Sequence, residues 1–302
     1  MATATATRTR KARTYRKAGD APEKIQVDWA NLIEQMLDPS VPAHLGSTYS
    51  KFKAGTDGRG YSFLNQFWLY LQGAKGPVAP FGTWKSFNRF PLKDTAKTVL
   101  TPVKGTGIRK DANGNPVIDP KTGKPVKYQF IIRFEPRRTA FDYADTKGED
   151  IDFPSLAEDW DLDRALAALD ITKVEYKLLD GNTQGYSTGR TYAINPVAAH
   201  PWKTLFHELA HIVLGHTDEA GIKEYQQHRG LMEFQAEATA YLLAHELDLT
   251  DWDASESRAY VRNWLGENEV SEKTVQAIFG AADKILRAGR TVETAKGEGE
   301  AA

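Results

Sequence analysis

The stretch from Phe206 to His216, FHELAHIVLGH, constrains the fold more than any other part of the chain. Its apolar residues recur at helical spacing and Gly215 closes the run, so it reads as a helix with an apolar face. Positions four apart share a helix face, so His207 and His211 point the same way and can bind one metal through their imidazoles. Two histidines on such a face are costly to bury unpaired, which weighs against a pair of plain core histidines. Glu208 then sits beside the metal, placed to take a proton from a water that the metal acidifies rather than to act as a ligand. The chain has no cysteine among its 302 residues, which excludes disulfide frameworks, thiolate catalysis and every zinc site built on Cys.

A tetrahedral catalytic site needs a third protein ligand and leaves the fourth position open. The pattern H-E-x-x-H-x-x-G-x-x-H would put glycine at position 214 and histidine at position 217, but the chain has Leu214 and Thr217. A second helix further on, GLMEFQAEATAYLLAHEL, offers Glu233 and Glu237, again four apart on one face. By analogy with thermolysin-like sites, Glu233 is assigned to the metal and Glu237 to bracing a ligand histidine, with the reverse assignment open. His216, His228 and His245 have no such spacing and read as solvated loop or helix-face residues. His200 belongs to the turn before the metal helix. The His2Glu set suits zinc first and accepts manganese.

Charge divides the chain in two. Residues 1–138 hold 24 Lys+Arg against 10 Asp+Glu, a net +14, and residues 139–302 hold 15 against 30, a net −15. The first half is therefore suited to a polyanion, with mutual attraction of the halves as the plainer alternative. At 41% hydrophobic and 26% charged residues the composition is that of a soluble protein of about two domains. No apolar stretch approaches a membrane span and a charged run stands where a signal peptide would have its apolar core, so no membrane partner and a cytoplasmic location are expected.

The expected fold class is α+β, with two domains. A disordered basic arm at 1–22 precedes a small nucleic-acid-binding domain at 23–141. An acidic linker follows at 142–160, then a mostly helical metal-binding domain at 161–290 and a disordered tail at 291–302. The spacing predicts helices over Val27–Leu37, from Ser62 to Gly73, over Leu162–Leu169, Pro201–Leu214, Leu231–Leu247, Glu256–Leu265 and Glu272–Leu286. Strands are expected at Thr98–Val103, Tyr128–Phe134, Val174–Leu178 and Thr191–Ile194, with a Gly/Pro/Asn/Lys-rich loop between the first two.

The run from GYSTGRTYAINP through FHELAHIVLGH to EFQAEATAYLLAHELDL resembles the zincin-like domain of ArdC-type antirestriction proteins and, more distantly, the ImmA/IrrE metallopeptidases. The resemblance implies metal ligands at His207, His211 and Glu233, Glu208 as the catalytic-type glutamate, and an aromatic helix carrying Tyr260 and Trp264. GYSFLNQFWLYLQ and PFGTWKSFNRFPLKDTAKTVLTPV resemble the single-stranded-DNA-binding domain of that family, although Lys93 and Lys97 flank Asp94-Thr95-Ala96 where the family tends to have Gly-Glu. The implied role is to bind single-stranded DNA and protect incoming DNA from restriction.

The residues of the first half fit that expectation on their own terms. Single strands are held by basic grooves and by aromatic faces on which bases stack. Tyr61, Trp84, Phe87 and Phe90 are interleaved with Lys85, Arg89, Lys93, Lys97 and Lys104. Tyr61 and Trp84, which follow Gly-containing turns, are the expected exposed platforms, and Trp68 is expected in the core. The alternative function is a zinc-dependent endopeptidase of gluzincin type that cleaves a repressor or restriction-system protein. In the third reading the metal is purely structural.

Overall fold

The computed structural model describes residues 27–41, 43, 45, 60–153, 160–177, 182–249 and 253–290. The expected basic arm, the C-terminal tail and residues 154–159 of the acidic segment lie outside the described residues. Helix α1 (Trp29–Met36) starts at Asp28, whose carboxylate accepts from the Asn31 amide at 2.9 Å. Helix α2 (Phe63–Leu71) starts at Ser62, whose hydroxyl accepts from the Asn65 amide. A β-rich segment follows with β1 (Val78–Pro80), the short helix α3 (Phe81–Ser86), β2 (Arg89–Pro91), β3 (Lys97–Ile108), β4 (Lys127–Asp142) and β5 (Thr146–Gly148). These form an antiparallel sheet in the order β1-β4-β3 and a separate β2-β5 pair.

The chain continues through α4 (Leu162–Leu169), β6 (Thr172–Lys173), β7 (Gly185–Thr188) and β8 (Thr191–Ile194). The last three make a mixed sheet in the order β6-β8-β7. Four helices end the described chain: α5 (Pro201–Leu214), α6 (Glu219–Glu246), α7 (Ser255–Glu267) and α8 (Glu272–Gly289). The fold class is α+β. No helix is long and apolar enough to cross a membrane among the described residues.

Four expected elements differ in extent, two of them β3 and β4, which run past the expected Val103 and Phe134. Residues after Lys173 leave the sheet although Val174 still donates to Tyr192, so the strand expected over Val174–Leu178 is replaced by β6, with Leu178 outside the described residues. Helix α6 begins twelve residues before the expected Leu231, because Asp218 caps it by accepting from the Gly221 amide at 2.7 Å. Its backbone breaks at His228 (φ −127°, ψ 29°), and the expected helix is the portion beyond that break.

One continuous core draws on both sides of the charge divide. Helix α8 buries Val275, Ile278, Phe279, Ala282, Ile285 and Leu286 on one stripe, the 3–4 spacing of an amphipathic helix. Phe279 meets Phe63 and Phe67 of α2 at ring-centroid distances of 5.9 and 5.7 Å. Polar groups bind the same elements together. The Phe63 amide, one of the unpaired donors of the first turn of α2, donates to Asp283 of α8 at 3.0 Å, and Arg287 donates to the Tyr61 carbonyl. A smaller core lies apart, where Ala79 and Trp84 pack with Phe141, Tyr143, Ile151 and Phe153.

Beyond this smaller core β3 and β4 continue as a two-stranded ribbon. The loop at its end is ordered by its own turns: Asp111 accepts from the Asn113 and Asn115 amides, Asp119 accepts from the Lys121 amide, and Val117 bonds back to Arg109 and Val126.

Candidate metal centre

Helix α5 carries Pro201 at its start, where a missing amide hydrogen costs nothing, and ends at Gly215 in the left-handed region (φ 80°). Its inner face buries Leu205, Phe206, Leu209 and Ile212 in the main core. His207 and His211 are therefore held on a turn of fixed rotation, and their Nε2 atoms lie 3.1 Å apart. Glu233 comes from α6, with its Oε2 3.3 Å from His207 Nε2 and 3.8 Å from His211 Nε2. Trp264 of α7 stacks on Phe234 at 4.0 Å and 15°, which fixes the helix turn next to Glu233. His207, His211 and Glu233 each offer one ligand atom, all within 4.8 Å of one another, and could hold one metal ion.

The outer nitrogens of the two histidines are both engaged. Glu237 Oε2 lies 3.1 Å from His207 Nδ1, and Glu237 Oε1 lies 2.9 Å from Lys203 and also accepts from Ser257. His211 Nδ1 lies 3.0 Å from His216 Nδ1, and His216 Nε2 lies 3.1 Å from Gln235 Oε1. Because the Gln235 oxygen only accepts, His216 carries its proton on Nε2, which leaves its Nδ1 as acceptor for His211 Nδ1–H. Burial keeps His216 neutral, holding its pKa down to about 4. When both histidines are neutral, their ligand nitrogens carry lone pairs that face each other and a carboxylate. Three acceptors in that arrangement repel one another unless a cation or a proton lies between them, so the donor set fits a metal ion.

Burial alone would raise the carboxyl of Glu237. The His207 hydrogen bond, the Lys203 charge and the Ser257 hydroxyl outweigh it and hold the pKa at about 2. For His207 burial acts downward, but Glu233 and Glu237 prevail and bring the imidazolium pKa up to about 9. Below that pH a metal must displace the proton on His207, so affinity rises with pH, by about tenfold per unit for one proton. Calorimetric titration of the metal-stripped protein with zinc at pH 7 and pH 8 is expected to show this gain together with proton release. Equal affinities would refute the coupling.

Glu208, next to His207 on the same helix, is buried. Its Oε2 accepts from Ser187 of β7 at 2.6 Å. Strand β7 reaches the helix because Gly185 has no side chain: a Cβ there would stand 2.7 Å from Thr204 of α5. Ser187, Lys203, Gln235 and Ser257 carry no spacing signal in the sequence. His216 had one, since a glycine in the left-handed region turns the chain so that the next residue folds back, and the His216 amide donates to the His211 carbonyl at 2.9 Å. The expectation of a solvated His216 is corrected on that ground, as the side chain is buried. His200 stands at the N-cap of α5, in the turn before the metal helix.

The expected DNA-binding residues are not gathered into one surface. Trp84 is 0% exposed and its indole N–H donates to the Phe141 carbonyl, so it is the centre of the smaller core and no platform. Arg89 is likewise buried, donating to Thr146 and the Gly148 carbonyl and lying 4.0 Å from the centre of the Tyr143 ring, which removes it from a phosphate surface. Tyr61 packs against the main core with its hydroxyl buried, and that burial raises its pKa, so its ring is not a free platform either. Lys97 pairs with Asp145 at 3.6 Å, whereas Lys85, Lys93 and Lys104 are exposed. Trp68 packs against the main core. Phe81, Phe87 and Phe90 are exposed.

No family model matches the chain, and no curated protein matches it. Among solved structures it is similar to the crystal structure of the antirestriction ArdC protein from the R388 plasmid in its metal-free form, with 18% identity and a TM-score of 0.46 over 86% of this chain and 94% of that one. The Mn(II)-bound structure of the same protein gives 17% identity and a TM-score of 0.46, with the same coverage.

Proposed function

We propose that the chain is an antirestriction-type protein that binds single-stranded DNA through its basic first half and holds a divalent metal, zinc or manganese, on His207, His211 and Glu233. The observation that carries this reading is the convergence of the two helices whose motifs resemble the ArdC-type family: their His207, His211 and Glu233 come within 4.8 Å while the outer histidine nitrogens are braced. The basic excess of residues 1–138, 24 Lys+Arg against 10 Asp+Glu, supplies the polyanion-binding part.

A second reading, a metal-dependent endopeptidase, is favoured by Glu208. A divalent ion bound beside it would acidify a water and polarise a carbonyl oxygen. Glu208, steadied by Ser187, would receive the proton of the attacking water and return it to the leaving amine. The outer edge of β7 pairs with no other strand among the described residues, and such an edge suits an extended peptide.

The test is binding of the full chain to fluorescent single-stranded and duplex DNA across a salt titration. A preference for the single strand, with affinity falling steeply as salt rises, is the expected result. Weak binding without strand preference would leave the endopeptidase as the reading to pursue. The full chain is needed because α2 shares the core of α8.

A further inference from the structure

The β3–β4 ribbon beyond the smaller core has no counterpart among the residues assigned above, apart from Lys104. Two antiparallel strands alone bury little, and here the side chains of both faces are largely solvated. On one face, Gly105 pairs with Phe130 and Gly107 with Tyr128. A Cβ on Gly105 would stand 2.8 Å from the Phe130 ring, and one on Gly107 would stand 2.7 Å from the Tyr128 ring. The glycines therefore let the two rings lie down across the neighbouring strand, with their inner faces on backbone. Tyr128 remains 51% exposed and Phe130 46%, their centroids 5.9 Å apart. Rings that fill a core do not lie flat against glycine with the other face open to water.

The charge around them is predominantly basic, with Glu135 of β4 taken up by Arg133 and Arg137. Residues 101–134 contain seven Lys+Arg and two Asp. Both aspartates are taken up in the turns of the tip, where Asp111 and Asp119 accept backbone amides. Lys104 and Lys127 on the ribbon, and Lys121 and Lys124 at its tip, are exposed. A second copy of the same ribbon would bring like charges together, so the face does not suit self-pairing. A polyanion with flat apolar groups suits it on both counts, and single-stranded nucleic acid has that chemistry.

We infer that the ribbon is the arm that docks single-stranded DNA, with bases stacked on Tyr128 and Phe130 and phosphates held by the lysines around them. This rests on the DNA-binding reading proposed above and moves its principal contacts from Trp84 and Arg89 to the arm. Each base–aromatic stack contributes enough that losing one ring weakens binding by about tenfold.

The experiment uses the full chain, a fluorescein-labelled oligothymidine, and the double variant Tyr128→Leu with Phe130→Leu, which keeps apolar cover over the glycines. Circular dichroism and the melting temperature, compared with the parent, show that the variant is folded. The expected result is binding by the parent, a loss of tenfold or more in the variant with a nearly unchanged salt slope, and photocrosslinking of a 5-iodouracil oligonucleotide to the peptide carrying Tyr128 and Phe130. If the parent binds and the folded variant binds equally well, the arm is not the platform, while the DNA-binding reading stands. If the parent does not bind, the DNA-binding reading fails and takes the arm with it. A parent that is dimeric and a variant that is monomeric with unchanged DNA affinity would overturn the inference in favour of a second copy as occupant.

Discussion

Replacing His207 with alanine is expected to remove bound divalent metal from the protein, whereas Glu208→Gln is expected to leave metal content at the parent level. His207 Nε2 lies within 3.3 Å of both other candidate ligand atoms, and its loss leaves only His211 and Glu233, 3.8 Å apart. Two protein ligands fall below the three that this candidate metal site offers. It also strands Glu237, which keeps only Lys203 and Ser257 as partners. Glu208 makes its hydrogen bond to Ser187, outside the ligand triangle, so the amide isostere should leave the donor set unchanged, and under the endopeptidase reading it should abolish hydrolysis. Metal analysis by mass spectrometry of the purified variants checks both statements. Full metal retention in His207→Ala would sink the ligand assignment. If DNA protection survives Glu208→Gln, as the antirestriction reading expects, hydrolysis is not the means of protection.

The substitution Phe279→Ala is expected to destabilise the whole chain by about 3–5 kcal/mol, in a single cooperative transition. Phe279 is fully buried, and its ring stands between Phe63 and Phe67 of α2 and the stripe of α8. Deleting it leaves a cavity lined by residues from both halves of the sequence. Chemical denaturation followed by tryptophan fluorescence and by circular dichroism reads the effect. Coincident transitions shifted to lower denaturant are the expected outcome. Two separated transitions, with only the earlier one shifted, would show that α2 and α8 do not unfold together.

Much of the helical framework was legible because helix signals are local. Asp28, Ser62, Pro201 and Gly215 cap or open helices using groups within a few residues, and the apolar stripe of α8 is visible in fifteen residues of sequence. The same holds for the metal candidates on α5, since four-residue spacing on a helix places His207 and His211 on one face wherever the helix packs. Strand extents were less legible. Strand β3 runs to Ile108 and β4 to Asp142, well past the expected Val103 and Phe134, because pairing with a distant strand sustains residues such as Gly105 and Gly107 that have weak strand preference alone.

Side-chain fate in the first half depended on partners far along the chain. Trp84 and Phe87 lie three residues apart in similar company, yet Trp84 is buried and Phe87 is exposed. The difference is the Phe141 carbonyl and the Tyr143 and Phe153 rings, which arrive from more than fifty residues away. Arg89 was drawn into the same layer by Thr146 and Tyr143.

By itself, then, the sequence determined most of the helices, the shared face of His207 and His211, the absence of thiolate chemistry and the opposite charges of the two halves, all of them consequences of composition or of periodicity over a few turns. Only the tertiary structure decided which aromatic rings meet water, that α2 and α8 share one core, and that Ser187, Gln235 and Ser257 stand around the metal candidates. Those outcomes depend on contacts between segments tens to hundreds of residues apart, and burial at any one position is settled by what the rest of the chain packs against it.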